Sequence, residues 1–260
     1  MTAKVRVVAL LVVASFVLGG CQLPTFGAFR GATVQGKDEF KIWSGMFLAG
    51  LIVAIFVWGL IFWAVFKYRR RSDVMPRQTQ NHIALEVTYT VIPLIMVLII
   101  FYFTVLTENN VDAVSAHPNE IVTVDAYRWG WKFTYADGSG ASQGVTIRTA
   151  AEPKVLAQPA TSSQYPQLVL PDNATIRIVL ESNDVIHGFY VPAFNFSRYA
   201  QPGVINTFDL TTAADGVFPG QCTQYCGWYH SEMLFSVKVE PESAFQGWLT
   251  SAQASQGAVS

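Results

Sequence analysis

The chain has 260 residues, 51% of them apolar and only 13% charged, with a formal net charge of −1. So few charges exclude an ordinary soluble protein and point to the membrane. The small total hides an asymmetry: seven basic and fourteen acidic residues from Thr107 to Ser260 give that part −7, and the residues before it carry +6.

The start of the chain has the form of an export signal. Lys4 and Arg6 precede an apolar run from Val7 to Leu18, as in a secretory leader. Leu18-Gly19-Gly20-Cys21 resembles a bacterial lipobox, which implies a signal peptide over 1–20 and a lipidated Cys21 as the mature N-terminus. An ordinary signal peptide with an incidental Cys and an uncleaved anchor are the alternatives. Residues 21–41, Gly-rich and mixed in charge, read as an irregular exported segment.

Ile42 to Phe66 holds no ionisable residue. At about 1.5 Å per residue its length crosses the roughly 30 Å hydrocarbon core. Lys67, Arg69, Arg70, Arg71 and Arg77 crowd the connection over 67–82. Basic residues directly after a span mark the cytoplasmic side, so they are topological signals and no nucleic-acid partner is expected. A second span follows over 83–106. Its one acid, Glu86, lies near the cytoplasmic end, and an ionisable group within a span costs several kcal/mol unless solvated or paired. Glu86 is therefore either a functional group or a carboxylate snorkelling to the headgroups.

Beyond Thr107, β-branched and aromatic residues recur at strand-like spacing from Glu120 to Tyr135, Thr175 to Glu181, Asn206 to Thr211 and Leu234 to Glu240. Several short strands between Gly and Pro clusters predict a sandwich or barrel. Residues 138–166, rich in Ala, Ser, Gln and Pro, read as an inserted surface loop. The tail over 241–260 is expected to form a short helix through Trp248 and then to lose order. In Tyr127-Arg128-Trp129-Gly130-Trp131-Lys132-Phe133, alternation along a strand puts Trp129 and Trp131 on one face and cannot distinguish them.

The most informative stretch runs from Gln221 to Met233. Cys222, Cys226, His230 and Met233 fall within twelve residues, and His187 stands upstream in Asp184-Val185-Ile186-His187. Soft sulfur with imidazole nitrogen suits copper better than calcium, magnesium or manganese. A mononuclear blue-copper site needs one Cys. The second thiol on the same tight loop allows two thiolates to bridge two metals, each capped by one His, so the count favours a binuclear centre. A disulfide is the alternative for Cys-x3-Cys in an exported domain, but the His and Met at fixed offsets favour metal.

These motifs resemble the copper A site of subunit II of bacterial haem-copper cytochrome c oxidases, and the resemblance runs from about Ile42 to Val239. It implies a membrane-anchored α+β chain: a two-helix transmembrane hairpin and, over 107–240, an exported cupredoxin-like Greek-key β-barrel. It also implies a ligand set: Cys222 and Cys226 as bridges, His187 and His230 as nitrogen ligands, Met233 as a weak ligand and the backbone carbonyl of Gln224 as another. The aromatic stretch resembles the family's docking strand, which makes Trp129 the electron-entry residue. Asp184, beside His187, is the acid placed nearest the docking patch for a cationic donor. Residues 76–93 resemble the family's second helix, whose Glu lies at the mouth of a proton path, and this assigns Glu86 to proton uptake. Tyr89 stands where the family usually has Trp.

The implied function is electron entry to an aerobic respiratory oxidase in the bacterial inner membrane, with the copper domain on the outer face. Electrons come from cytochrome c, soluble or tethered, and pass to a haem in subunit I, where oxygen is reduced to water with proton pumping. Haem belongs to the partner only. Subunit I, the other oxidase subunits and membrane lipid are the remaining partners. Gln224 stands where many relatives have a magnesium-binding Glu, and a neutral amide is a weaker ligand for that hard cation, so the magnesium site is doubtful. Tyr199 and Val204 replace an Asp and an Arg common in relatives.

Overall fold

The computed structural model describes residues 25–149, apart from 72, 74, 76, 77 and 79, and residues 165–257. The predicted signal peptide and lipidation site Cys21 lie outside the described residues, as does the stretch 150–164.

Two long helices lead: α1 over Val34–Lys67 and α2 over Ile83–Val111. Both are apolar and long enough to be candidate membrane spans. Their side chains face outward nearly throughout: Phe56, Trp58, Phe62, Phe66, Ile92 and Leu98 are all exposed. Such a surface needs lipid or another apolar chain against it.

Each helix outruns the expected span on the barrel side. The segment expected to be irregular contributes eight residues to α1, although its mixed charge shows no helical pattern. Contacts with the barrel supply the reason. Thr33 caps the helix, its hydroxyl accepting from Gly36 N at 3.0 Å, and it bridges backbone to Thr212. Gln35 Oε1 accepts from Thr211 N at 2.9 Å, and Asn195 Nδ2 donates to Phe29 O and Gly36 O. A Cβ on Gly36 would lie 2.2 Å from the carbonyl oxygen of Phe194, so only glycine lets the helix start this close. The end of α2 is tied through Ser115, whose N–H donates to Asp209 at 2.6 Å while Asp209 pairs with Arg177.

The remainder forms two five-stranded sheets. One has the order β3 (Ser142–Arg148), β2 (Gly130–Asp137), β1 (Glu120–Tyr127), β5 (Thr175–Ser182), β8 (Asn206–Thr211). The other has β4 (Gln167–Pro171), β10 (Leu234–Glu240), β9 (Gly216–Cys222), β6 (His187–Val191), β7 (Phe196–Ala200). The chain crosses between sheets repeatedly, which gives the cupredoxin-like barrel expected. Alternation fills its core, as in β5, where Ile176, Ile178 and Leu180 are fully buried.

Three expectations need correction. Glu120 to Tyr135 is two strands joined by a two-residue turn at Arg128-Trp129, with Tyr127 opposite Gly130. The supposed surface insert contains β3, a regular strand on the edge of the first sheet. The tail forms one helix, α3 (Glu242–Gly257), which stays ordered past Trp248. Phe245 and Leu249 are buried under it. The Gln256 side chain bonds both Thr146 N and Thr146 O at 2.9 Å, and so covers polar groups of the edge strand.

Candidate metal centre

The centre forms where β6 begins and β9 ends. These strands pair antiparallel with Phe189 opposite Cys222, which brings His187, two residues before Phe189, to the mouth of the loop that follows Cys222. Two close contacts hold that loop against β6. Thr223 N donates to Gly188 O at 3.1 Å, and a Cβ on Gly188 would meet the Thr223 hydroxyl at 2.3 Å. Gly227, at φ +114°, then reverses the chain so that a short 3-10 turn (His230–Glu232) carries His230 back toward the thiols.

Four side-chain or carbonyl donors converge on the two sulfurs. Cys222 Sγ lies 3.9 Å from His187 Nδ1, 3.2 Å from Gln224 O and 3.9 Å from Cys226 Sγ. Cys226 Sγ lies 3.5 Å from His230 Nδ1 and 3.8 Å from Met233 Sδ. Both cysteines are free and buried. A disulfide would need about 2.0 Å, so 3.9 Å excludes one here. A metal about 2.3 Å from a thiolate can touch both sulfurs across that gap. Two thiols with two imidazoles are a set zinc accepts, and a buried thioether and a carbonyl beside them are weak donors of the kind copper sites also use.

The electrostatics favour a ligating imidazole and resist an empty thiolate. Burial lowers the pKa of His187, which keeps the ring neutral and its Nδ1 free to bind. Burial pushes the Cys226 thiol up to about 12, and charge on Cys222 beside it adds to this. A cation must therefore displace a tightly held proton there.

Asp184 lies beside His187 and also reaches Arg128, the residue before Trp129. Its side chain is only one-fifth exposed, and its Oδ1 accepts from His187 Nε2 at 2.9 Å. The other oxygen accepts from Arg128 N at 2.7 Å and Arg128 Nε at 3.2 Å. Burial alone would raise its pKa, but the bonds from His187, Val185 N and Arg128 N together bring it down to about 2. Asp184 is thus a largely enclosed anion that fixes the orientation of the His187 ring.

The turn at Arg128-Trp129 separates the two tryptophans that strand alternation could not. Trp131 is fully buried and packs edge-on to Phe189 and His187. Its Nε1–H donates to Met233 O at 3.3 Å. Trp129, half-buried, donates from Nε1 to Cys226 O at 3.1 Å and packs T-shaped against Tyr229 at 5.0 Å. Glu86 lies far from this cluster, at the other end of α2. The sequence does not mark Arg128 and Tyr229 as neighbours of the centre. Only their crowding near the motif could have signalled them.

Two family models cover most of the chain: cytochrome c oxidase subunit II, transmembrane domain, over residues 29–105, and its periplasmic domain over residues 121–240. The chain belongs to the cytochrome c oxidase subunit II family. A probable cytochrome c oxidase subunit 2 of Streptomyces avermitilis is 35% identical over 254 residues, covering 87% of this chain and 80% of the relative. Cytochrome c oxidase subunit 2 of Mycobacterium tuberculosis is 31% identical over 264 residues, with 85% and 73% covered. Among solved structures, the periplasmic domain of subunit II of the Bradyrhizobium japonicum cytochrome oxidase is 26% identical. It covers 55% of this chain and 99% of its own, with a TM-score of 0.44. In this subunit II chain the periplasmic-domain match ends at Glu240 and so encloses His187 and the whole Cys222–Met233 loop.

Proposed function

We propose that this chain is the electron-entry subunit of an aerobic respiratory cytochrome c oxidase in the bacterial inner membrane, with its barrel on the outer face. A single observation carries the reading: two free thiols 3.9 Å apart with His187, His230, Met233 and the Gln224 carbonyl gathered on them. Those six residues would hold a copper pair, Cys222 and Cys226 as bridges. When bound, the pair takes up one electron at a time and spreads it over both ions, which limits bond-length change.

The protein's own part is to hold and insulate. β6 and β9 fix His187 and Cys222 on rigid strands, Asp184 sets the His187 ring, and Trp131 ties the Met233 backbone to the core. Trp129 receives the electron from cytochrome c, soluble or tethered, and its hydrogen bond to Cys226 O links it to the centre. The electron then passes to a haem in subunit I, where oxygen is reduced to water with proton pumping. Glu86, at the inner end of α2, aids proton uptake. Cys21 carries the lipid. Gln224 serves through its carbonyl, with magnesium held weakly or not at all.

Electron spin resonance of the copper-loaded protein tests this. A seven-line mixed-valence signal is expected. A single four-line copper signal, or a Cys222–Cys226 disulfide in the functioning oxidase, overturns it.

A further inference from the structure

The loop from Cys222 to Met233 exposes two aromatic side chains: Tyr225, which packs edge-on against His230 at 5.8 Å, and Trp228, which the centre does not use. Trp228 is 88% exposed, the most of any large apolar side chain among the described residues, and Tyr225 is 76% exposed. The apolar surface of the helices has the bilayer to cover it; Trp228 stands on the aqueous barrel, where an indole left in water wants a partner. Its chain neighbours both face the Trp129 ring. A Cβ on Gly227 would lie 3.3 Å from it, and Tyr229 packs against it. The loop therefore places a fully displayed indole beside the half-buried one that bonds to the Cys226 carbonyl.

Arg128, preceding Trp129, is paired with Asp184, while Glu232 on the same loop is exposed; the −7 of the outer part acts on a donor from a distance, and the surface at the two indoles is apolar. A second apolar patch, Tyr199, Val204 and Ile205, lies elsewhere. It runs into Asn206, which lines a cavity with Glu39 and Glu108 at the outer helix ends, and is the face a membrane partner can reach.

Building on the electron-entry reading above, we infer that Trp228 is the apolar anchor of the donor-docking surface. Its partner is a haem protein that presents an apolar contact beside an exposed haem edge. On docking, one electron leaves the donor's ferrous haem, which becomes ferric, and enters through Trp129; no bond or proton changes at Trp228. A large exposed tryptophan at the middle of a contact is the commonest kind of binding hot spot.

The test uses Trp228→Ala in the intact oxidase and a soluble monohaem cytochrome c that reduces the unaltered enzyme. Direct binding of the ferric cytochrome should weaken about thirtyfold, and KM should rise to match. The kcat, the salt dependence of binding and the mixed-valence copper signal should stay as they were, and Trp228→Phe should restore most of the affinity. Affinity within about threefold of the unaltered enzyme overturns the inference. So does loss of the catalytic subunit from the purified complex, which would assign Trp228 to that interface. Weakened binding in an oxidase whose unaltered form lacks the seven-line signal would keep the docking site and sink the copper assignment.

Discussion

The two ends of the barrel both bury polar groups at a cost, and they differ in how those groups are arranged. At one end His187 is fully buried, both cysteines are 5% exposed, and their ligating atoms lie within 4.8 Å of one another. At the other end Glu120 is 7% exposed and accepts from Gln143 Nε2 at 2.9 Å, while Gln143 Oε1 and Glu240 Oε1 are buried without a partner among the described residues. Burial pushes the Glu120 carboxyl up to about 7; the Gln143 bond pulls it back, and Glu242 and Asp137 push it further. Convergence separates the two ends. Underpaired groups aimed at one point can be satisfied together by a cation, whereas a lone buried acid can only keep its proton.

The largest expected effect removes a bridge. Cys222→Ser or Cys226→Ser should abolish the mixed-valence signal entirely, because one thiolate cannot hold two metals and the serine hydroxyl does not ionise near neutral pH. Survival of a seven-line spectrum in either variant would break the comparison. Stripping copper with a chelator comes next. A ligand bound only by the folded state at about a thousand times its Kd adds about 4 kcal/mol, so Tm should fall by about 10 °C. An unchanged Tm would mean that the buried donors are satisfied without metal. Asp184→Asn should lower copper affinity by about tenfold to a hundredfold, measured by competition with a chromophoric chelator, because the amide still fills the space but no longer fixes the His187 ring by charge.

How much of this was legible in the sequence follows from the same physics. The convergence of Cys222, Cys226, His230 and Met233 was legible because they sit on one short loop. The helices were legible because lipid demands an unbroken apolar run. The positions of Trp129 and Asp184 were not. A two-residue turn ends the strand at Tyr127, and no periodicity announces it. The sequence places Asp184 beside His187 but does not show that Arg128, fifty-six residues away, closes over it. The strand within 142–148 was hidden by polar, small residues that are held in the sheet by β2 and by α3. Glu120 read as an ordinary strand end because its burial depends on α3, whose packing the tail sequence does not display.

Glu120→Gln sharpens the contrast at the far end. The folded protein keeps that proton up to about pH 7, whereas the unfolded chain loses it near 4.3. Stability from this group is therefore intact below about pH 4, falls as pH rises toward 7, and stays low above it. The amide should leave unfolding at pH 4 nearly unchanged and raise stability at pH 8 by about 1 to 3 kcal/mol. Equal gains at both pH values would show that the acid is not the source.

The smallest effect belongs to Glu86, a carboxylate that has a local structural role. Its Oε1 accepts from His82 N at 3.0 Å, and His82 Nδ1 accepts from Leu85 N at 3.2 Å, a reciprocal cap on the first turn of α2. An anion there also meets the positive end of the helix, worth about 0.3 to 1 kcal/mol. Glu86→Gln keeps an acceptor for His82 N and removes only the charge, so the helix should hold and electron entry from cytochrome c should be unaltered. Turnover of the assembled oxidase, which needs protons from the inner side, should slow by less than about tenfold, as general acid–base groups with alternatives nearby do. Unchanged turnover at every pH would reduce Glu86 to a helix cap, and complete loss would make it indispensable. A partial loss confined to proton-limited conditions is the outcome that separates it from both ends of the barrel, since it ties this acid to neither the metal nor the fold.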